Sequence, residues 1–267
     1  MIVVKIGGAE GVGYENVCHD AADLIASGER VVLVHGGSHE TNMLAEQLGH
    51  PAQFVTSPSG HTSRRTDALT LEIFQMACIG RVNKRIVLEL QRRGVNAVGL
   101  SGLDGGMWRG KRKSAIRIVE DGVTKVLRDD YTGAVDTVNA DLLGRLLDGG
   151  FTPVLSPPGL SEDGEAINVD ADRAAARTAA ALDADSLVIL SNVPGLLRAF
   201  PDESSLIPTL ARSELDDAIE LAGGRMKKKV LAAQEAINGG VRRVVLADGR
   251  VPSPIARALE GRGTCVA

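Results

Sequence analysis

Apolar positions follow two rhythms along the chain. Short, mostly β-branched runs at residues 2–6, 31–34, 152–155, 186–190 and 243–246 carry almost no polar alternation, as strands buried on both faces do. Between them, residues 15–26, 41–48, 135–147, 171–182, 213–221 and 226–238 space their apolar side chains at the helical period. Residues 67–93 read as two helices meeting near Gly80. Further strands are expected at 96–100 and 166–169, and 53–63 reads as irregular. This alternation predicts an α/β fold with a mostly parallel central sheet covered by helices. Residues 107–128 differ: they alternate like strands and contain the turn Glu120-Asp121-Gly122, which predicts an antiparallel hairpin on the sheet edge. Pro157-Pro158-Gly159 punctuates the chain and divides it into lobes at 1–158 and 159–267.

Composition narrows the function classes. The 267 residues are 44% hydrophobic but only 3% aromatic, and the net charge is −4, which argues against nucleic-acid binding by stacking or by a basic surface. No apolar stretch is long enough to span a membrane, and the first residues lack a signal-peptide pattern. Three scattered cysteines without a CxxC motif read as reduced thiols, so a cytoplasmic protein is expected.

Several motifs stand at predicted strand ends, where open α/β sheets bind ligands. Lys5-Ile6-Gly7-Gly8 ends the first strand, and a charge inside a buried strand needs an anion opposite it. Taken alone, it is a tight turn with a surface lysine. His35-Gly36-Gly37-Ser38 ends the second strand, and two such glycine turns could face one anionic group. The glycines between His35 and His39 argue against a helical metal pair. Neither GxxxxGK[ST] nor GxGxxG after a strand occurs, so P-loop and Rossmann sites are unsupported. Arg64-Arg65-Thr66-Asp67 precedes a helix that Asp67 can cap. In Ala166-Ile167-Asn168-Val169-Asp170-Ala171-Asp172, strand alternation puts Asn168 and Asp170 on one face, with Asp172 in the following helix. Gly223-Gly224-Arg225-Met226-Lys227-Lys228-Lys229 sets four cations at a helix start, where cations are disfavoured unless a polyanion binds there.

In this order, the motifs resemble the amino-acid kinase family over essentially the whole chain. Within it they are similar to the N-acetylglutamate kinase group and, more closely, to its lysine-biosynthetic branch. That branch phosphorylates an α-aminoadipyl or glutamyl group carried on the small acidic protein LysW. The Lys-x-Gly-Gly motif matches Lys5, Gly7 and Gly8; His-Gly-Gly matches Gly36 and Gly37; Arg-x-Thr-Asp matches Arg64. Asn-Val-Asn-Ala-Asp matches residues 168–172 with Asp170 for the middle Asn, and Gly-Met-x-x-Lys matches Met226 and Lys229 with Arg225 for the glycine.

The resemblance implies an open three-layer αβα sandwich. Its N-terminal lobe (1–158) would bind the acyl acceptor and dimerise, and its C-terminal lobe (159–267) would bind ATP. It implies that Lys5 and Lys229 are catalytic with Asp172 holding them, and that Gly36, Gly37, Arg64 and Asn168 bind the acceptor. Gly7, Gly8, Ser191, Asn192, Val193 and Met226 would meet the nucleotide, with Asn192 standing where relatives have Asp. ATP and Mg2+ are implied as cofactors, with no protein cage for the metal. The N-terminal helix of arginine-inhibited relatives is missing, so arginine feedback through it is not expected. Arg109, Lys111, Arg112, Lys113 and Arg117 crowd one arm of the predicted hairpin. As an ordinary solvated edge they discourage aggregation; with Arg65, they could steer the acidic carrier to the site. Two other functions remain open: a kinase for free N-acetylglutamate, and an inactive amino-acid sensor on the same fold.

Overall fold

A computed structural model of the chain describes residues 1–58, 60 and 62–267. The first half runs β1 (Ile2–Ile6), α1 (Tyr14–Ala26), β2 (Val31–His35), α2 (Ser38–Gln47), β3 (Phe54–Thr56), β4 (Thr62–Arg64), α3 (Ala68–Gln75), α4 (Lys84–Gln91) and β5 (Ala97–Ser101). Then come β6 (Trp108–Arg112), β7 (Ile116–Glu120), β8 (Val123–Leu127), β9 (Gly133–Val138), α5 (Ala140–Asp148) and β10 (Thr152–Ser156). The second half contains β11 (Gly159–Ser161), β12 (Ala166–Ile167), α6 (Ala171–Ala181), β13 (Ser186–Ser191), β14 (Thr209–Leu210), α7 (Leu215–Leu221), α8 (Gly224–Asn238), β15 (Arg243–Asp248), α9 (Pro254–Leu259) and β16 (Thr264–Val266).

Eight strands form the central sheet in the order β14-β16-β15-β13-β1-β2-β10-β5, parallel except where β15 meets β16. Strands from the first half lie on one side of β1 and those from the second half on the other, so one sheet runs through both proposed lobes. The buried runs sort by parity onto the two faces, because successive strand side chains point opposite ways. Val3, Val32, Val34, Leu187 and Ile189 pack under α6 and α8. Val4, Ile6, Leu33, Val188 and Leu190 pack under α1, α4 and α9. Lys5 shares the parity of Val3, so its side chain is delivered to the face that α6 and α8 cover. Among the described residues, no helix is long and apolar enough to cross a membrane.

The expected elements shift in four places. Residues 107–128 are not one hairpin. β7 and β8 do pair across Asp121-Gly122, but in a small sheet with β3 and β4, whereas β6 pairs with β9 and β11 in another. Trp108 decides this split: it is fully buried and its indole N–H donates to Thr178 on α6, so β6 is drawn onto the core. The expected helix at 135–147 starts later, because β-branched Val135, Thr137 and Val138 extend β9, and Asn139 then caps α5 by accepting the Leu142 N–H. The stretch 53–63 contains the short pair β3–β4, exposed enough to leave little apolar periodicity to read; Ser59 and His61 within it lie outside the described residues. The two helices of 67–93 do meet around Gly80, but without a break there. A π-helical segment, Met76–Asn83, joins α3 to α4 and carries Cys78 under Gly37 and Asn83 to His35.

Candidate functional site

The carboxyl ends of β1, β2 and β13 converge with the N-termini of α6 and α8. There Lys5 Nζ lies 2.5 Å from Asp172 Oδ1, and Lys229 Nζ lies 3.2 and 3.1 Å from the two oxygens of the same carboxylate. All three residues are buried, at 5%, 7% and 9% exposure for Lys5, Asp172 and Lys229. Local structure explains the meeting. Asp170 caps α6 by accepting the backbone N–H groups of Asp172 and Arg173, which sets Asp172 in the first turn facing β1. Lys229 comes from the inner face of α8, which packs along α6.

Two ammonium groups on one carboxylate leave the cluster with one excess positive charge. That imbalance fixes the titration directions. Burial disfavours the charged Asp172, but the Lys229 and Lys5 charges outweigh it and hold the carboxyl far below its usual range. Burial, reinforced by Lys5 and only partly offset by Asp172, pushes Lys229 down to about 8. An anion arriving here would meet a desolvated cation pair that is already positioned.

The two glycine turns form one surface. A Cβ at Gly8 would stand 2.6 Å from the Gly37 nitrogen and 2.8 Å from the Gly36 carbonyl carbon, so the turns approach backbone to backbone. Gly7 abuts the β13 end, near Leu190 and Ser191. His35 lies beneath, fully buried, its Nδ1 bonded to the Gly36 carbonyl at 2.9 Å and its Nε2 accepting from Asn83 Nδ2 at 3.1 Å. Burial pushes its pKa down to about 4, so the ring is neutral near pH 7 and acts as a brace, with Nδ1–H donating.

Arg64 leaves β4 toward the same region. Its guanidinium donates to Asn42 Oδ1 at 2.5 Å and to the Ser38 carbonyl and hydroxyl at 3.0 and 3.2 Å, all neutral acceptors at the start of α2. Asn168 donates to Thr66 Oγ1 at 2.9 Å, and buried Asp130 accepts the Thr66 N–H, so the β4 end is tied to the segment before α6. Asn42, Asn83 and Asp130 went unread in the sequence; each is an ordinary polar residue whose partner is remote along the chain.

Ser191, Asn192 and Val193 follow the β13 end, with the Ser191 hydroxyl donating to the Val193 carbonyl at 3.2 Å. Met226 is half-buried on α8 against the core. The basic residues at 109–117 do not lie on one hairpin arm: Arg109, Lys111 and Arg112 belong to β6, and Arg117 to β7 in the other small sheet. Arg112 is committed to Glu165 and stacks 3.7 Å over Tyr131, Lys111 lies 3.8 Å from Glu162, and Arg65 pairs with Asp129 at 2.7 Å. Arg109, Lys113 and Arg117 are exposed.

Comparison with known proteins gives consistent findings. Residues 1–248 match the pattern described as the amino acid kinase family. The chain is 58% identical over 266 residues to a [LysW]-aminoadipate kinase of Deinococcus radiodurans, covering all of this chain and 91% of that one. It is 56% identical over 268 residues to a [LysW]-aminoadipate kinase of Thermus thermophilus, covering both chains fully. Among solved structures, an N-acetylglutamate synthase from Neisseria gonorrhoeae complexed with coenzyme A and N-acetyl-glutamate superposes with a TM-score of 0.79 at 28% identity; this chain is fully covered and spans 59% of that longer one.

Proposed function

Because the chain belongs to the amino acid kinase family, we propose that it transfers the γ-phosphoryl of ATP to the side-chain carboxylate of α-aminoadipate carried on the acidic protein LysW. The product is an acyl phosphate in lysine biosynthesis, made in the cytoplasm. The observation that carries the mechanism is the Lys5–Asp172–Lys229 cluster.

The acceptor carboxyl has a pKa near ~4 and is ionised at neutral pH, so no general base is needed. The barrier is the approach of one anion to another, and catalysis is positioning plus charge neutralisation along an in-line path. Lys5 and Lys229 flank the migrating phosphoryl, and Asp172 keeps both ammonium groups in place. Gly36 and Gly37 face the reacting carboxylate, while Arg64 and Asn168 hold the rest of the acceptor. Gly7, Gly8, Ser191, Asn192, Val193 and Met226 bound the nucleotide. Asp172 gives both oxygens to lysines, and Asp170 caps α6 and faces Lys228 at 3.5 Å, so neither is free for a cation. Among the described residues no His, Cys, Asp and Glu cluster could hold a metal. Mg2+ would arrive with ATP, held mainly through phosphate and water, and would supply neutralisation of phosphate charge.

The lobe 1–158 carries the acceptor side and 159–267 the nucleotide side. Exposed Met43, Leu48, Leu69, Met76 and Leu88 on and between α2, α3 and α4 support a homodimer through the first lobe, which light scattering tests. Arg109, Lys113 and Arg117, with Arg65, Lys111 and Arg112 beside them, steer the carrier.

The test is a competition among LysW-linked aminoadipate, LysW-linked glutamate and free N-acetylglutamate, with acyl phosphate trapped by hydroxylamine. LysW-linked aminoadipate should have the highest kcat/KM, falling steeply with added salt. A higher kcat/KM for free N-acetylglutamate would make the protein an N-acetylglutamate kinase, and no turnover of any acceptor would make it a sensor.

A further inference from the structure

Arg64 and Asn168, the side chains that hold the acceptor in this reading, come from the two sides of Pro157-Pro158. Neither belongs to an element long enough to fix it alone. β4 is a three-residue strand at the edge of its outer sheet, paired with β3, and Asn168 follows the two-residue β12. A third segment joins them. The Tyr131 N–H donates to the Thr66 carbonyl at 2.8 Å, and the Asn168 N–H donates to the Tyr131 carbonyl at 2.8 Å. The Gly133 N–H then donates to the Asn168 carbonyl at 2.9 Å, with Thr132 and Asn168 side by side in parallel register. Residues 130–133 therefore bridge the chain leaving β4 and the chain leaving β12.

One buried side chain pins this bridge. Asp130 is 1% exposed, and its two oxygens accept the Thr66 N–H at 2.9 Å and the Thr132 N–H at 2.8 Å. Burying a carboxylate is costly, and here both oxygens are in use. An asparagine would offer one acceptor and turn its NH2 group toward the other N–H. From Thr66, also fully buried, the connection reaches both acceptor-binding residues. Its hydroxyl accepts from Asn168 Nδ2 at 2.9 Å and donates to the Arg64 carbonyl at 3.4 Å. Arg112 holds the bridge from outside. It donates to the Asp130 carbonyl at 3.1 Å, stacks 3.7 Å over Tyr131, and binds the two oxygens of Glu165, just before β12, at 3.1 and 3.0 Å.

We infer that Asp130, acting through Thr66, is a positioning residue that sets the gap between Arg64 and Asn168 and so the affinity for the acceptor. The inference rests on the proposed function, because it takes those two side chains as the acceptor's holders. Asp130 bonds Thr66 and Thr132, whereas Lys5 and Lys229 bond Asp172. Loosening the bridge therefore weakens the grip on the non-reacting part of the acceptor and leaves the cation cluster and the nucleotide side as they are. Loss of binding that is equal in ground and transition states raises KM and spares kcat.

The test uses the full chain and three variants: Asp130→Asn, Thr66→Val, which keeps the volume but removes the hydroxyl, and Thr66→Ser, which keeps the hydroxyl. Steady-state kinetics with LysW-linked aminoadipate and ATP should show the acceptor KM rising roughly tenfold or more in Asp130→Asn, the effect of one lost charge-assisted contact. It should rise about fivefold in Thr66→Val, the effect of one neutral hydrogen bond, and return toward wild type in Thr66→Ser. kcat and the KM for ATP should change less than about threefold. A lower melting temperature with an unmoved acceptor KM would make Asp130 structural only and overturn the inference. So would an equal rise in the ATP KM, or a loss confined to kcat. If Asp130→Asn does not melt cooperatively, the Thr66 pair decides. A wild type that prefers free N-acetylglutamate overturns the proposed acceptor alone, and the same variants then read the inference on that substrate. A wild type that turns over no acceptor ends both.

Discussion

Replacing Asp172 with Asn keeps the shape of the cluster and removes its only negative charge. At the observed 2.5 and 3.1 Å, each ammonium–carboxylate attraction is worth about 5–7 kcal/mol at an effective dielectric near 20. Desolvation of three buried charges cancels much of that, and breaking such a pair costs about 3–5 kcal/mol net. The variant has two ways to relieve this. It can lose stability, or one lysine can release its proton. Lys229, already pushed down to about 8, is the easier one to neutralise. At pH 7.5 the Asp172→Asn protein should then retain its fold but lack a charged Lys229 and an anchored Lys5. Loss of one preorganised donor costs about 10²–10³-fold in kcat, and impairment of both should reach the upper end. Hydroxylamine trapping of the acyl phosphate measures kcat, with a thermal melt confirming a cooperative fold. The alkaline fall of kcat/KM should also move to lower pH. A kcat within about fivefold of wild type, far less than one lost donor, would refute the role given to Asp172.

Lys5→Ala and Lys229→Ala should each lower kcat by about 10²–10³-fold while the protein still melts cooperatively; near-normal turnover in either would remove that lysine from the site. In the wild type, kcat/KM should fall as pH rises through about 8, because the free protein needs protonated Lys229. Stability should move the opposite way: the folded pKa of Lys229 lies below its ordinary 10.5, the unfolded chain holds more protons between about 8 and 10.5, and the lysine's contribution to folding free energy rises with pH there. Denaturant melts across that window, set beside rates, would expose a shared decline if the sign were wrong. Asp20→Ala should act far from the chemistry. Buried Asp20 accepts the Ile255 and Ala256 N–H groups at the start of α9, so its loss should cost about 1–3 kcal/mol in urea unfolding with kcat unchanged.

The amino-acid order by itself determined what local chemistry can determine. Apolar runs marked β1, β2, β10, β13 and β15, because a strand covered on both faces tolerates little else. Asp67 announced the start of α3, since a carboxylate there satisfies a free N–H group of the first turn. Lys5 in a buried strand, and cations gathered at a helix start, pointed to an anion because both are unfavourable without one. The same local logic failed where partners are distant. β6 reads like an arm of a hairpin until Trp108 finds Thr178, and residues 135–138 fit either period until β6 pairs with them. Tertiary structure alone decided that Lys5 and Lys229, separated by most of the chain, meet one carboxylate, and that Arg64 donates to Ser38 and Asn42 at the start of α2. The physical reason is range: hydrophobic periodicity and capping act over a few residues, whereas charge in a desolvated cleft acts between whichever groups the sheet order brings together.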